Sequence, residues 1–334
     1  MYDTKSLQKS VRTMRHRWLA LSLSLFAGVC FAQTETNQAG QAELDRPITY
    51  IVAFGPGGGS DQVARASAQA LAKGLGVELP VVNVPGATGN IGMNQLVSSP
   101  PGRAMAILIQ DTLATVPFGT SSFQLDQIQG VCRLQRMPSA LLVKSGTYES
   151  WEDLKAAAKA GQAKVATVGR NSIDSLMLAA LGEAQGVEFR KIPFANPSER
   201  YVALLGGAVD ALYDQLGDVR QYVESGQYEP LIIFSNDPIE SFKDVTHATD
   251  LGVPEEAILT QFRGIVMPAK TDPAVIQTVS KACSGIMEDP KFQQFQEAVL
   301  ASEESYMPAD EFETYIDQQA EIIGRLMEKY LATD

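Results

Sequence analysis

Ile48-Thr49-Tyr50-Ile51-Val52-Ala53-Phe54-Gly55-Pro56-Gly57-Gly58-Gly59-Ser60-Asp61 is an apolar run that stops on four glycines in five positions. Ile48 to Phe54 has the length and unbroken apolarity of a strand buried on both faces. The segment that follows, roughly Gln62 to Lys73, puts Val63, Ala66, Ala70 and Leu71 near one helical face. Gly74 and Gly76 supply its stop. A strand thus hands over to a helix through a turn made almost wholly of glycine.

The same unit recurs downstream. Pro80 to Val84 reads as a second strand, Pro85-Gly86-Ala87-Thr88-Gly89-Asn90 as a second glycine-rich turn, and Ile91 to Val97 as a helix. Ala104 to Ile109 is a third strand. Strand, turn and helix in regular succession predict βαβ units and a parallel sheet. A second series begins after Leu141-Leu142-Val143. Ser150 with Asp153 three residues on marks a helix start. Lys164 to Val168 is a strand, Gly169-Arg170-Asn171-Ser172 a turn, and Ile173, Leu176, Ala180 and Leu181 share a helix face. Further strands are expected at Phe189 to Pro193, Ala211 to Tyr213, Leu231 to Phe234 and Gly264 to Met267, and two helices close the chain. The reading is α/β, with two lobes that are each a mainly parallel sheet flanked by helices. Residues 46–142 begin the first lobe, 143–262 form the second, and 263–334 return to the first. Strands near 138–145 and 260–267 make the crossings.

Glycine lets backbone approach a ligand without a Cβ in the way. At each corner, unpaired N–H groups meet the positive end of a helix dipole, which suits an anion. Both corners lie at the carboxyl ends of strands, where open α/β sheets bind ligands. The two are expected to converge on one negatively charged guest, with Ser60, Thr88 and Asn90 adding side-chain hydrogen bonds.

The N-terminus carries Lys5, Lys9, Arg12, Arg15 and Arg17 against one acid, Asp3, before an apolar run from Trp18 to Val29. Cys30-Phe31-Ala32 then makes a small-x-small step. This is the layout of a signal peptide over residues 1–32, cleaved after Ala32, and residues 33–45 read as a flexible tether. Its removal takes five positive charges and one negative from a chain of net charge −12, leaving −16. So acidic a chain lacks the basic surface that nucleic-acid binding needs. Cys132 and Cys283 remain. Both sit in apolar runs, which predicts buried free thiols, although an oxidising compartment permits a disulfide.

Other chemistries find little support. Ser60 stands where a dinucleotide fingerprint needs its third glycine, and no Gly-Lys-Ser/Thr step exists for a phosphate loop. His16 lies in the leader, which leaves His247 alone, and there is no Gly-x-Ser-x-Gly elbow. No cysteine–histidine spacing suits a metal. The sequence predicts no catalysis, no metal and no cofactor.

With these motifs in place, the chain resembles the substrate-binding receptors of tripartite tricarboxylate transporters, the Bug-type periplasmic proteins. The likeness covers nearly all of residues 46–330. It rests on Arg46-Pro47-Ile48 leading into the first turn and on Asn83-Val84-Pro85-Gly86-Ala87-Thr88-Gly89-Asn90-Ile91-Gly92, the more specific signature. Leu204-Leu205-Gly206-Gly207-Ala208-Val209-Asp210 with Asp214-Gln215, Met267-Pro268-Ala269-Lys270-Thr271 and Pro308-Ala309-Asp310-Glu311-Phe312 also fit.

The resemblance implies a type II periplasmic binding fold that closes on a small organic carboxylate: a dicarboxylate, tricarboxylate, amino acid or aromatic acid. It implies delivery of that cargo to a two-subunit membrane permease. The residues it places at the ligand are Phe54, Gly57, Gly58, Gly59, Ser60 and Asp61 of the first turn, and Ala87, Thr88, Gly89 and Asn90 of the second. Gln110, Asp111 and Thr112 follow the third strand. Arg170, Asn171, Ser172, Phe194, Asn196, Asp214 and Gln215 come from the second lobe. The sequence departs from the family pattern on the specificity side, at Gln110-Asp111-Thr112, at Gly169-Arg170-Asn171-Ser172 and at Phe194-Ala195-Asn196. If Arg170 faces the cleft it can fork onto a second carboxylate; if Asp111 does, it can accept an ammonium. The competing arrangement pairs the two with each other or turns them to solvent. A signalling receptor of the same fold, or an enzyme built on it, are the alternative functions.

Overall fold

A computed structural model describes residues 44–169 and 172–331. The signal-peptide reading, most of the tether, Arg170 and Asn171 lie outside the described residues. In the first lobe, β1 (Thr49–Val52), β2 (Val81–Asn83) and β3 (Ala104–Ile109) are joined by α1 (Gly59–Leu75) and α2 (Asn90–Ser98). These three strands pair in parallel, in the order β2-β1-β3. All six residues of β3 are buried, as its unbroken apolarity demands of a strand covered on both faces. The helix α1 runs one turn longer at its start than its apolar face suggests. Gly76, with φ +70°, caps it, and Gly74 lies inside the last turn.

Residues 110–112 were expected as a loop; they open a short helix, α3 (Gln110–Ala114), directly on the end of β3. The chain then forms β4 (Ile128–Met137) and, after Pro138, β5 (Ser139–Lys144). Those two strands belong to different sheets, so the crossing falls at a proline, which cannot donate to either ladder. The second lobe continues with α4 (Trp151–Lys159), β6 (Lys164–Thr167), α5 (Ile173–Gln185), β7 (Arg190–Pro193) and α6 (Pro197–Leu205). After these come β8 (Ala211–Gln215), α7 (Arg220–Glu224), β9 (Tyr228–Phe234) and β10 (Thr246–His247). Ser150 caps α4 by accepting from the Asp153 N–H. Its sheet has the order β10-β9-β5-β8-β6-β7.

The return strand β11 (Gln261–Pro268) lies antiparallel between β3 and β4, and β5 lies antiparallel between β8 and β9. Each sheet is therefore mixed, its antiparallel pairs made by the strands next to the crossings. Three helices, not two, close the chain: α8 (Pro273–Ile286), α9 (Pro290–Ala298) and α10 (Ala309–Tyr330). In α10, Phe312, Ile316 and Ile323 are buried at helical spacing, and the helix lies along β4 while α8 lies against α1. No helix among the described residues is long and apolar enough to cross a membrane.

The free-thiol expectation is corrected. Cys132 of β4 and Cys283 of α8 form a disulfide, with Cα atoms 6.5 Å apart. Each cysteine sits in an apolar run because it is buried, and burial alone does not distinguish a thiol from a bridge. The bridge closes a loop across 151 residues that contains the whole second sheet. A Cys132→Ser/Cys283→Ser double variant is expected to lose about 2–5 kcal/mol. Thermal melts should show a drop on the order of 5–15 °C; an unchanged midpoint would remove the bridge from the account of stability.

Candidate functional site

The first corner is held in shape by Asp61. Its carboxylate accepts from the Gly57 N–H, from Arg65 Nε and from Asn83 Nδ2, each at 3.0 Å. Asp61 thus folds the turn and is turned away from the cleft. The N–H groups of Gly58, Gly59, Ser60 and Asp61 donate to no partner among the described residues. At the second corner, Gly86, Ala87, Thr88 and Gly89 all have positive φ, of 130°, 48°, 54° and 89°. For a β-branched residue such as Thr88 this is a strained conformation. It brings Thr88 Oγ1 against the second lobe, where a Cβ on Gly169 would lie 2.6 Å from it. Asn90 does not face the cleft. It donates to the Ala87 carbonyl and accepts from the Ser122 N–H, which braces the turn.

The two corners do not share one point. Gly58, Gly59 and Ser60 border an inner chamber of about 40 Å³. Ala87, Thr88 and Gly89 border an outer chamber of about 280 Å³. Phe54, Val168, Phe194 and Ala195 line both, and form an apolar waist between them. Each corner thus borders its own chamber, and the two chambers adjoin along these shared residues.

The wall of the inner chamber is charged. Asp111, carried on α3, accepts from the Ile173 N–H at 3.0 Å and from Gln261 Nε2 at 2.7 Å. The first of these bonds crosses between lobes, because Ile173 opens α5. Arg200 of α6 pairs with Asp214 at 2.8 Å and approaches Asp174 at 3.8 Å. Arg263 of β11 pairs with Asp218 of the other lobe, and also donates to Gln215 at 3.3 Å and Gln135 at 3.2 Å. The Asp218 carboxylate and the Arg263 guanidinium stand over Gly59, where any Cβ would overlap them. The cleft is closed in this arrangement.

Four carboxylates and two guanidiniums are thus buried together. Burial pushes the Asp111 carboxyl above its ordinary range, against the hydrogen bonds from Gln261 and Ile173. Burial, then the nearby Asp111 charge, push Asp174 well above it. Burial likewise raises Asp218 in spite of Arg263. Arg263 Nε is buried without a hydrogen-bond partner among the described residues, whereas Arg200 interacts with Tyr201 and approaches Asp174 at 3.8 Å.

Of the residues singled out from sequence, Phe54, Gly58, Gly59, Ser60, Asp111, Phe194 and Gln215 border the inner chamber, and Ala87, Thr88 and Gly89 the outer. Several do not line either. Gly57 shapes the first turn. Gln110 donates to Gln319, and Thr112 packs under Gly89. Ser172 caps α5, Asn196 donates to Glu199, and Asp214 neutralises Arg200. Sequence reasoning missed Arg200, Tyr201, Asp218, Gln261 and Arg263, all of which line the inner chamber. One signal was available: Arg263 sits inside the otherwise apolar run of β11, where a charge needs a buried partner.

Comparison with known proteins bears on the family and the fold. Residues 63–331 match the model of the tripartite tricarboxylate transporter family receptor. A UPF0065 protein of Bordetella bronchiseptica is 27% identical over 272 residues, which is 80% of each chain. Among solved structures, the periplasmic binding protein BugD superposes with a TM-score of 0.78 at 22% identity, over 86% of this chain and 98% of its own. MatC of Rhodopseudomonas palustris, with bound malate, gives 0.77 at 20% identity, over 84% and 98%. At these identities the structural likeness is one of fold.

Proposed function

The chain belongs to the tripartite tricarboxylate transporter receptor family, and from that premise we propose that it captures a small carboxylate in the periplasm and delivers it to a membrane permease. The observation that carries this reading is the set of donor-bearing residues that border the inner chamber. Ser60, Arg200, Tyr201 and Arg263 line it, and the N–H groups at the start of α1, unpartnered among the described residues, lie beside the same space. A carboxylate offers four lone pairs on two oxygens and meets that demand. MatC, a neighbour in fold, has malate bound, a carboxylate of the size such chambers admit.

Capture is a population shift, so the ligand must bind the closed form better than the open one. The cross-lobe bonds of Asp111 and Arg263 are present only when the lobes meet, and a carboxylate that satisfies the remaining donors adds to them. Native mass spectrometry of freshly purified protein is expected to show a co-purifying small acid at one per chain. After it is stripped, titration with that acid should compact the protein in small-angle scattering. A saturating acid that leaves the scattering profile unchanged would refute the receptor reading.

A further inference from the structure

We propose that Val299 and Leu300, at the end of α9, brace the hinge. They fasten the first lobe to the second at a third place, beside the two crossings, and position the loop that carries Asp218 to the inner chamber. The brace holds the cleft whatever the cleft binds, so its test needs no ligand.

The backbone gives the first sign. Gly76, Gly161, Gly186, Gly207 and Gly226 take the left-handed position at or just past the ends of α1, α4, α5, α6 and α7, with φ from 63° to 71°. Glycine suits that position because a Cβ is penalised there. At α9 it falls to Leu300, with φ 54°. The ending is otherwise a regular one. The Leu300 N–H donates to the Glu297 carbonyl at 3.1 Å, and the Ala301 N–H to the Gln296 carbonyl at 3.0 Å. Among the described residues, Ala87, Thr88 and Leu300 are the non-glycine residues with positive φ, and the first two belong to the second glycine corner. A bulky side chain persists on such backbone where its surroundings over-determine it.

Here they do. Phe292 and Phe295 of α9 pack into the core cluster built on β1, β3 and α8. Leu300, five residues on, packs instead against a core cluster of the second lobe, whose other members all lie between Ala140 and Val245. Val299 is 1% exposed. Its carbonyl lies so close to Gly217 of the second lobe that any Cβ there would overlap it. Gly217 has no positive φ, so the close approach, and not the backbone, requires glycine. One helix end thus passes from the core of one lobe to that of the other.

The base of this finger is sewn to β4. Gln296 donates to the Leu134 carbonyl at 2.7 Å and accepts from Gln135 at 2.6 Å. The Ser302 N–H donates to the Arg136 carbonyl at 2.8 Å, and Ser305 Oγ accepts from the Arg136 N–H at 3.0 Å. β4 ends at Met137, directly before the crossing at Pro138. From the other side, the Leu216 N–H donates to the Pro138 carbonyl at 3.3 Å. Gly217 therefore sits between the crossing and Asp218, which pairs with Arg263 and borders the inner chamber. A finger anchored on β4 that holds Gly217 holds Asp218 with it. Arg136 also reaches Asp237 of the second lobe at 3.8 Å, but the Asp237 side chain is 69% exposed, and a solvated pair of that length contributes little. The buried apolar contact is what fastens the lobes here.

Hydrogen exchange read by mass, on the stripped full chain with no ligand added, tests this with Leu300→Gly. Glycine relieves the left-handed backbone. A leucine with only a local role therefore predicts a variant that melts as high as the wild type or higher and exchanges no faster in the second lobe. The brace predicts exchange over residues 216–223 at least ~10-fold faster, with residues 104–109 of the first sheet changed by less than ~2-fold. Leu300→Met keeps both the strain and the reach of the side chain, and should stay within ~3-fold of the wild type over residues 216–223. Gly217→Ala pushes the tip out from the opposite side and should reproduce the pattern of Leu300→Gly, so either variant decides if the other does not fold. Unchanged exchange over residues 216–223 in whichever variant folds would overturn the brace. So would an equal acceleration in both sheets, or a Leu300→Met protein that exchanges like Leu300→Gly.

Discussion

Replacing Arg200 with methionine is expected to remove about 3–5 kcal/mol of folding stability, with a melting point lower by on the order of 10 °C. Methionine keeps much of the volume and the flexible stem, so the loss reports charge. Arg200 is buried among Asp174 and Asp214, which are 2% exposed each. Without it, both carboxylates stay in the interior with no cation in contact. The loss should depend on pH, and the sign follows from the direction of the shifts. Asp174 is already raised well above its ordinary value of 3.8, by burial and then by Asp111, while Arg200 pulls it down. A carboxyl whose folded-state pKa is raised binds protons more tightly folded than unfolded. Its stability is therefore greatest below the ordinary value and is lost as pH rises from there through the raised one. Removing Arg200 raises Asp174 further and extends that window upward. Denaturant melts should show a deficit that is larger at pH 7.5 than at pH 5, and Asp174→Asn/Asp214→Asn in the Arg200→Met background should recover much of it. An equal deficit at both pH values would assign the effect to packing instead.

The parts of this molecule that sequence makes legible are those set by neighbours in the chain. The strand–glycine–helix corner at 48–61 is local: the run of apolar residues, the absence of Cβ atoms and the capping residues are all within one window. The same holds for Ser150 as a cap and Gly76 as a stop. Strand direction is not local. The apolar run of β11 reads the same whether it pairs parallel or antiparallel, and its place between β3 and β4 depends on residues more than 120 positions away. The disulfide is of the same kind, since neither cysteine's surroundings in sequence mention the other.

The site divides along this line. The glycine corners and Gln215 are visible in sequence because motifs carry them, and Asp111 because it follows the third strand directly. Arg200 lies in a helix start, Pro197-Ser198-Glu199-Arg200, that looks like solvated surface; only the packing of α6 on its sheet turns that face inward. Arg263 and Asp218 meet across 45 residues and two lobes. Asp111 accepts from a helix-opening N–H and a glutamine amide, while Arg170, its other candidate partner, lies outside the described residues. Backbone donors near a carboxylate are invisible to any pattern of residue types.

Gly59→Ala is expected to weaken ligand binding by about 100-fold or more and to abolish compaction, while the lobes stay folded. Gly59 opens α1 with an ordinary negative φ, so alanine suits its backbone and its helix position. What alanine cannot satisfy is the closed cleft. Its methyl would overlap both the Asp218 carboxylate and Arg263 Nη2. Closure would then require that buried pair to separate, at about 3–5 kcal/mol, which is about two to three and a half decades in affinity. Gly57→Ala is the control. It takes a positive φ of 84° and strains the turn, but nothing lies within 4 Å of the added methyl, so closure should survive. Scattering with and without saturating ligand, beside circular dichroism for fold, separates the two. A Gly59→Ala protein that compacts and binds like the wild type would mean that the contact between α1 and the Arg263–Asp218 pair is not what closes the lobes.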